Sequence, residues 1–326
     1  MKGINLGLIG LGFIGEVHLR SSMKLKNAKV LAVADNSRRV LKKVQNTVGI
    51  KKTYSNYEDL LKDDSIDAVI IALPTHLHTH SACDAAEAGK HILLEKPIAR
   101  NIEEGKKIVK AAENNSVKLM LGYPLRFNKG AIELSKQLKN GCIGDVISAY
   151  ATFVDSGPFK HRTQDHAPVP VPEWWFKKEL VGGGALIDNG SHMINLLRWY
   201  FGEIVDIKGH MGHRFNMDFE DSALCVAKFD SGTNAVVNVG WFSQSYQQKL
   251  EVFGTIKQVT FNNVPPKRLI AALQMLSTNT TSFFQAYTDE LQYFVNCVSN
   301  GVNPSPSGTD GVKDLEAIEL AYQNPL

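Results

Sequence analysis

The sequence predicts an α/β protein with two domains, residues 1–122 and 123–326. In the first third, short β-branched apolar runs alternate with amphipathic stretches, an order that predicts a doubly wound parallel sheet with helices on both faces. After residue 122 the chain changes to longer segments that alternate apolar and polar residues. These predict a C-terminal α+β domain with a large, mostly antiparallel open sheet. The third observation is a glycine-rich turn directly after the first apolar run.

The elements of the first domain follow from that alternation. The predicted strands cover residues 4–9, 29–34, 68–73, 91–94 and 117–121, and the predicted helices cover 13–25, 37–47, 56–62, 78–89 and 102–115. Each strand run is continuous and apolar, as expected of strands buried on both faces. Asn56 or Ser55 is the expected cap of the third helix, and Gly89 is expected to end the fourth.

The second domain is expected to be built around its sheet. Helices are predicted over 128–140 and 309–322, the latter with packing toward the first domain as one option, and strands over 145–154, 204–215, 221–229, 234–242 and 248–261. Residues 230–232, Asp-Ser-Gly, predict a hairpin turn. Helices must cover one face of this sheet, and a wide apolar face left exposed is unfavourable in a monomer. We therefore expect a homodimer or homotetramer formed through the other face.

Composition argues against several classes of function. The 36 basic and 33 acidic residues give a net charge of +3 without a long basic run, so no nucleic-acid partner is expected. No apolar stretch is long enough for a membrane span and the start lacks a signal-peptide pattern, so no membrane association is expected. Cys83, Cys142, Cys225 and Cys297 lie far apart in the sequence, which is typical of reduced, mostly buried thiols in a cytoplasmic protein.

The glycine turn predicts a dinucleotide site. Gly10, Gly12 and Gly15 form a G-x-G-x-x-G pattern between a predicted strand and a predicted helix. Asp35, twenty positions after Gly15, ends the next predicted strand. Gly10 allows the tight turn, Gly12 lets the backbone approach a pyrophosphate, and Gly15 lets the helix lie close to the sheet. The helix that begins near Phe13 directs its first amide groups at the phosphates. An ordinary glycine-rich strand–helix turn is the alternative.

Asp35 also bears on the choice of cofactor. Its carboxylate would accept hydrogen bonds from a ribose diol and repel a 2′-phosphate, which favours NAD. Arg38 and Arg39 follow closely and would weaken that repulsion, so NADP stays open as the second choice. The alternative for both arginines is a solvated helix face.

Two more strand ends are candidate cofactor contacts. Pro97 restricts Lys96 to extended geometry at the end of a predicted parallel strand, so Lys96 is expected to point toward the nicotinamide. A solvated turn is the alternative. The preceding strand ends at Leu73, Pro74 and Thr75. The expected cofactor contacts are therefore Gly10, Gly12, Phe13, Ile14, Gly15, Asp35, Arg38, Leu73, Pro74, Thr75, His78, Glu95 and Lys96.

The segment after Thr75 carries an H-x-H-x-H pattern, formed by His76, His78 and His80. Alternating histidines can bind a metal when they lie on one face of a strand. Here no acidic or cysteine partner is close in sequence, and the segment is expected to turn from strand to helix, which breaks the alternation. We therefore predict no metal and a loop that lines the cofactor.

A glycine-rich segment of the second domain carries a candidate acid–base pair. Asp188 and His192 are four residues apart and would share one face of a helix. A carboxylate beside a histidine raises the basicity of the imidazole and orients its ring, which suits general acid–base catalysis. The alternative is a structural histidine on a helix that Asp188 caps.

Aromatic and basic residues supply the candidate substrate contacts. Aromatic rings beside polar groups suit the face of a sugar, although domain packing is the alternative. Because Trp174 and Trp175 are adjacent, at most one is expected to point inward. His161, Arg162 and His166 lie in a segment that is rich in proline and histidine, 156–172, and reads as a loop. The expected substrate contacts are Lys96, Tyr123, Arg126, Trp174, Asp188 and His192.

Together these motifs resemble the glucose–fructose oxidoreductase / inositol dehydrogenase / rhizopine catabolism (Gfo/Idh/MocA) family of NAD(P)-dependent oxidoreductases. The resemblance spans nearly the whole chain, through GLGFIG, ALPTHLHTHSACDAAEAGKHILLEKP, GYPLRF and WWFKKELVGGGALIDNGSH. It implies a Rossmann domain and a large α/β domain, assembled as dimers or tetramers through its sheet. It also implies that Lys96 is the catalytic lysine near the nicotinamide, and that Asp188 and His192 contact substrate hydroxyls. Two positions depart from the family pattern. Thr75 stands where family members often carry asparagine, and Leu125 stands where they often carry a polar or basic residue.

The expected reaction is the reversible oxidation of a secondary alcohol on a sugar, a sugar derivative or a cyclitol. His192 would take the hydroxyl proton while Asp188 stabilises the imidazolium, and Lys96 would hydrogen-bond the same oxygen. Three other functions stay open. They are an NAD-dependent glycosidase with redox-assisted elimination, a non-enzymatic regulator that senses NAD or a sugar, and a reductase of a tetrapyrrole or dihydrodiol.

Overall fold

The computed structural model describes residues 3–158, 172–243, 245–265 and 282–326. The chain divides into two compact units, Met1–Pro124 with Leu269–Val312 and Leu125–Arg268 with Lys313–Leu326. The first unit therefore takes a late stretch of the chain that the sequence analysis had assigned to the second domain.

The first unit contains a six-stranded parallel sheet, which confirms the predicted doubly wound α/β class. Its strands are β1 (Ile4–Ile9), β2 (Ala28–Ala34), β3 (Lys52–Tyr54), β4 (Ala68–Ile71), β5 (His91–Glu95) and β6 (Leu119–Gly122). They lie in the order β3-β2-β1-β4-β5-β6. The three-residue β3, at the edge of the sheet, is a strand that the sequence analysis missed. The strand order reverses beside β1, and ligands of such sheets bind at that reversal.

Helices connect these strands and cover the sheet. The described helices of the chain are α1 (Phe13–Ser22), α2 (Arg38–Val48), α3 (Tyr57–Leu61), α4 (His78–Glu87), α5 (Ile102–Asn114), α6 (Lys129–Lys139), α7 (Lys178–Val181), α8 (Ser191–Phe201), α9 (Ser282–Asn300) and α10 (Gly308–Gln323). The two predicted helix ends are confirmed. Asn56 Oδ1 accepts the Glu58 amide 3.2 Å away at the start of α3, and Gly89 follows α4 with a φ of +69°.

Helix α9 belongs to the first unit, although the sequence analysis assigned no element to it. It packs on α1, where Phe284 and Val17 form a buried apolar cluster with Phe283 and Tyr287 at its margin. The amphipathic α1 therefore has its outward face covered by a helix that lies more than 250 residues later in the sequence.

The second unit contains a six-stranded mixed sheet in the order β12-β11-β7-β10-β9-β8. Its strands are β7 (Val146–Val154), β8 (Ile204–Gly212), β9 (Ser222–Phe229), β10 (Asn234–Gly240), β11 (Gln247–Gly254) and β12 (Gln258–Asn262). Only β7 and β10 pair in parallel, so the predicted mostly antiparallel sheet is confirmed. The single strand predicted over 248–261 is wrong, because the chain reverses there and Leu250 pairs with Phe261.

The two faces of this sheet differ in exposure. Along β9 buried and exposed residues alternate, with Cys225 and Ala227 on the buried face and Leu224 and Val226 on the exposed one. The predicted hairpin turn at 230–232 joins β9 to β10, and the Phe229 amide donates to the Thr233 carbonyl across it.

The helices and the cysteines can be compared with what the sequence predicted. No helix in the described part of the chain has the length and apolarity needed to cross a bilayer. All four cysteines are free thiols. Cys225 and Cys297 are buried and Cys83 is half-buried, whereas Cys142 is exposed.

Candidate functional site

The glycine turn after β1 is closely packed at two of its three glycines. Gly10 has a φ of +89°, and a Cβ atom there would lie 2.4 Å from the Ala72 carbonyl oxygen at the end of β4. A Cβ atom on Gly15 would lie 2.1 Å from the Gly10 carbonyl oxygen. The turn and the first turn of α1 therefore touch through their backbones, which is the packing that the sequence pattern predicted.

Gly12 has a different environment. No atom of the described chain lies within 4 Å of a Cβ built on it. It is the N-cap of α1, and the first amide groups of a helix have no acceptor within the helix. Phe13 is exposed and Ile14 half-buried in this first turn. Open space beside a helix N-terminus fits an anion such as a dinucleotide pyrophosphate, so these residues fit the expected cofactor.

Asp35, just after β2, holds the same turn. Its Oδ2 accepts the Leu11 amide at 2.8 Å, and its Oδ1 accepts the Ser37 amide at 2.8 Å. Each carboxylate oxygen can accept further hydrogen bonds, so Asp35 fixes the turn and stays available to a ribose. Arg38 is exposed at the start of α2, as is Arg39.

The segment after β4 runs into a short 3₁₀ turn, Thr75–Leu77, which precedes α4. Leu73, Pro74 and Thr75 are half-buried. His78 is buried, and its two ring nitrogens lie 2.9 Å from the carbonyl oxygens of Leu73 and Pro97. Burial lowers the pKa of this imidazole. His78 thus joins the loop after β4 to the loop after β5, and its ring is enclosed by protein.

The three histidines of the H-x-H-x-H pattern do not converge. His80 is exposed and lies with Glu58 and Asp84, where one ligand atom from each residue falls within 4.8 Å of the others. The Oδ2 atom of Asp84 already accepts the Tyr57 hydroxyl at 2.8 Å and faces His80 Nε2 at 3.5 Å. This group joins α3 to α4 and lies apart from the glycine turn in sequence.

The end of β5 carries Glu95 and Lys96, followed by a cis peptide bond to Pro97. Glu95 is buried, and its Oε1 lies 2.6 Å from the Nε2 atom of His18 on α1. Its Oε2 accepts the Lys96 amide at 3.2 Å. Glu95 therefore links α1 to the backbone of Lys96, while Lys96 itself is only half-buried.

Two residues of this linkage, His18 and Glu290, are not among those expected from the sequence. His18 is fully buried, with its ring edge-on to Tyr287 of α9 at 5.7 Å. Glu290, one turn further along α9, is also fully buried, and no side chain among the described residues hydrogen-bonds its carboxylate. Burial and the nearby charge of Glu95 raise the pKa of Glu290. The position of His18 in the sequence, three residues after Gly15, was the only indication of this linkage in the motif.

The predicted acid–base pair lies at the start of α8, in the second unit. Asp188 belongs to a π-helical turn, Leu186–Gly190, and His192 to the first turn of α8. Both are half-buried, and the His192 ring lies 5.7 Å from that of Phe153 on β7. π-Helical turns widen the backbone spiral and occur often at functional sites. The sequence predicted an ordinary helix here and gave no sign of the wider turn.

The expected substrate contacts Tyr123 and Arg126 are both buried. Arg126 donates through Nε to Asn195 Oδ1 at 2.6 Å and lies 5.8 Å over the Trp199 ring. Asn195 in turn donates to Asp314 at 2.6 Å. Arg126 therefore takes part in a buried polar network of the second unit.

Trp174 and Trp175 lie on a 3₁₀ turn, Glu173–Phe176. Both pack on one apolar cluster, formed by Val181, Ala185, Phe219 and Trp241. A short 3₁₀ turn at the edge of the cluster lets both adjacent rings reach it, which is the packing role given above as the alternative to substrate contact. His161, Arg162 and His166 lie outside the described residues.

Two family models match this chain. One, described as the oxidoreductase family with an NAD-binding Rossmann fold, covers residues 4–123, and the other, the GFO/IDH/MocA C-terminal domain, covers residues 132–259. Among curated proteins, the chain is similar to a myo-inositol 2-dehydrogenase of Thermotoga maritima, with 25% identity over 94% of this chain and 92% of that protein. It is also similar to a scyllo-inositol 2-dehydrogenase (NAD(+)) of Bacillus subtilis, with 28% identity over 98% and 93%.

Solved structures share this fold. A levoglucosan dehydrogenase in complex with NADH and L-sorbose superimposes with a TM-score of 0.85 and 23% identity, covering 100% of this chain and 98% of that one. A scyllo-inositol dehydrogenase from Lactobacillus casei with bound NAD(H) and scyllo-inositol gives a TM-score of 0.82 and 22% identity, covering 99% and 97%.

Proposed function

Because the chain belongs to the GFO/IDH/MocA family of oxidoreductases, we propose that it is an NAD-dependent dehydrogenase acting on a secondary alcohol of a sugar, a sugar derivative or a cyclitol. The observation that carries this proposal is the carboxyl edge of the first sheet. The glycine turn follows β1, Asp35 follows β2 and Lys96 follows β5, all at the edge where such sheets bind ligands. The names of relatives that act on inositols support the substrate class.

NAD is the proposed cofactor. Gly12 and the N-terminus of α1 would hold the pyrophosphate, and the Asp35 carboxylate would accept the ribose hydroxyls. Bound NAD⁺ supplies the acceptor for the hydride. Asp35 is already fixed by two backbone amides, so it cannot easily turn away from a 2′-phosphate, and its charge disfavours NADP. Calorimetric titration of the protein with each cofactor tests this choice, and equal affinities would contradict it.

We assign the proton transfer to His192 and its support to Asp188. When the carbinol carbon loses a hydride, the hydroxyl proton must leave the same centre, and His192 would accept it as a general base. Asp188 would stabilise the imidazolium that forms. Lys96 would donate a hydrogen bond to the same oxygen and stabilise its developing negative charge. In the reverse direction His192 returns the proton to the carbonyl oxygen.

The proposed function is tested with a panel of sugars, cyclitols and sugar acids, by following NADH absorbance. We expect turnover with at least one compound, and a loss of roughly 10²–10⁴-fold in kcat for Lys96→Ala and His192→Ala with cofactor affinity retained. Lys110→Ala and His213→Ala, at exposed positions, are the matched controls. Near-normal turnover in either test variant would remove the role assigned to that residue.

A wild-type protein that binds NAD but responds to no compound of the panel would contradict the dehydrogenase. Release of p-nitrophenol from nitrophenyl glycosides, dependent on added NAD⁺ but without net NADH, would then identify the glycosidase alternative. Tight binding of a sugar with neither activity would identify a regulator.

We further propose that the protein assembles as a homodimer or homotetramer through the exposed face of the second sheet. Tyr150, Val236 and Val226 are direct cross-strand neighbours on that face, and Leu224 lies two residues from Val226. Tyr150, Leu224 and Val226 are each more than 40% exposed. Val226→Glu is expected to shift the mass measured by light scattering toward the monomer, whereas Val205→Glu, on the edge strand, is not. A monomeric wild type would refute this assembly.

We also propose a cytoplasmic location, supported by the four free thiols. Fractionation of cells followed by thiol labelling of the native protein tests it. Recovery of the protein with oxidised cysteines from an exported fraction would contradict it.

A further inference from the structure

Glu220 is a buried carboxylate that the proposed reaction does not use. It lies just before β9 and is only 3% exposed. Its Oε1 accepts three hydrogen bonds, from the Gly184 amide at 3.1 Å, the Leu186 amide at 2.9 Å and the Tyr322 hydroxyl at 2.8 Å. These donors come from two distant parts of the chain, so Glu220 ties the residues before α8 to α10.

The backbone continues this connection to Asp188. The Gly184 carbonyl accepts the Asp188 amide at 3.0 Å, and the Ala185 amide donates to the main-chain oxygen of Glu220 at 3.1 Å. A Cβ atom on Gly184 would lie 1.7 Å from that same oxygen. The backbone at the start of the π-helical turn therefore contacts Glu220. Gly184 hydrogen-bonds both the Glu220 side chain and the Asp188 amide, so it connects the two acids.

Two opposing effects act on the charge of the Glu220 carboxylate. Burial raises the pKa of Glu220, and burial with the Glu220 charge raises the pKa of Tyr322. Against this, a carboxylate at the first amides of a helix is favoured by the helix dipole. The titratable groups that face Glu220 are Tyr322 on α10 and Cys225 on β9, and neither is a cation. A glutamine would keep an accepting oxygen for the two amides without burying a charge, so the carboxylate is not explained by stability alone.

We propose that Glu220 is a positioning residue for the acid–base pair, and that it sets the orientation of the π-helical turn carrying Asp188 and thereby of His192. This inference rests on the proposed function and adds a residue to it. Glu220 acts through the Gly184 and Leu186 amides and does not itself touch the substrate.

The test compares Glu220→Gln with Glu133→Gln, a substitution at an exposed site on α6. We expect Glu220→Gln to lower kcat by roughly 10- to 100-fold, as small displacements of reacting groups do, with the KM for NAD and the melting temperature unchanged. The pH profile of kcat should move as well, which a merely structural role would not cause. Wild-type kcat with a wild-type pH profile would overturn the proposal, and so would a kcat loss that only parallels a loss of folded protein.

A second variant keeps the proposal testable if Glu220→Gln does not fold. Tyr322→Phe removes one donor to the carboxylate and leaves the Gly184 and Leu186 amides in place. We expect a smaller decrease of kcat in the same direction, with the same displaced pH profile. A Tyr322→Phe enzyme that matches the wild type in both measurements would overturn the proposal in that case.

Titration of the histidine ring by NMR separates this inference from the proposed function, because it needs no turnover. The His192 signal is assigned by its loss in His192→Gln. We expect Glu220→Gln to change the titration of that ring, since the turn that carries Asp188 would shift relative to it. An unchanged His192 titration would overturn the role of Glu220 even in an active enzyme. A changed His192 titration in a protein inactive on every compound would support Glu220 and count against the dehydrogenase alone.

Discussion

Substituting alanine at Gly12 and at Gly15 should separate cofactor binding from folding. Both glycines belong to the turn after β1, but their surroundings differ. Gly12 has a φ of −65° and a ψ of −165°, which any residue adopts, and no described atom lies within 4 Å of an added Cβ. At Gly15 the added carbon would lie 2.1 Å from the Gly10 carbonyl oxygen.

The expected magnitudes follow from these distances. At Gly15 the carbon lies about 1.3 Å inside ordinary contact at 3.4 Å, and overpacking of this kind costs about 1–3 kcal/mol, or about 2–4 °C in melting temperature per kcal/mol. At Gly12 a small loss of N-cap preference is offset by about 0.4–1 kcal/mol from a more restricted unfolded chain. The methyl group would instead block hydrogen bonds to a charged pyrophosphate, worth about 1.5–3 kcal/mol, or roughly 10- to 100-fold in affinity.

Two measurements check this pair. Calorimetric titration with NAD⁺ and NADH gives the affinities, and thermal unfolding without ligand gives the stabilities. If Gly12→Ala binds NAD as tightly as the wild type, the pyrophosphate does not approach that backbone and the contact assigned to Gly12 is excluded. Equal losses of stability in Gly12→Ala and Gly15→Ala would refute the difference in packing between the two glycines.

Two further predictions concern buried acids. Because the folded-state pKa of Glu290 is raised, wild-type stability should fall as pH rises from the ordinary glutamate range through that pKa. The melting temperature of Glu290→Gln should therefore exceed the wild-type value by an amount that grows as the pH rises above the ordinary glutamate range, and a pH-independent difference, like that expected of exposed Glu113→Gln, would contradict this. Asp314→Asn breaks the buried pair with Arg198, whose Nη1 lies 2.5 Å from Asp314, and should lower the unfolding free energy by about 3–5 kcal/mol in denaturant titrations. A loss below about 1 kcal/mol would show that the pair does not stabilise the unit.

Local patterns predicted the first sheet and its turn because the information lies within short stretches. The strand runs, the cap at Asn56 and the glycine turn each depend on neighbours in sequence. The reversal between β11 and β12 was missed because its one turn residue, Gly254, lies within an apolar alternation, and residues 255–257 contain neither glycine nor proline. The π-helical turn at Leu186–Gly190 was missed because its spacing is compatible with an ordinary helix.

Contacts between distant residues explain the rest of the differences. His18 and Glu95 are 77 residues apart, and Glu220 and Tyr322 are 102 apart, so neither pair shows in a local pattern. Arg126 was expected to contact the substrate because its segment could face the cleft, and its partner Asn195, 69 residues away, showed in no local pattern. Motifs indicate Lys96, Asp188 and His192 as candidate site residues, whereas the contacts of Glu95 and Glu220 with distant parts of the chain show in no motif.

The position of α9 near the end of the sequence has a consequence for the order in which the chain folds during synthesis. Residues 146–262, which form the whole second sheet, leave the ribosome before Phe284 and Glu290 do. The face of α1 around Val17 and His18 must therefore remain uncovered while the second sheet assembles. An exposed apolar face on an incomplete unit is a substrate for chaperones and a route to aggregation. A nucleotide-binding fragment cut after Pro124 would keep that face permanently open, whereas one that also includes Ser282–Asn300 would close it.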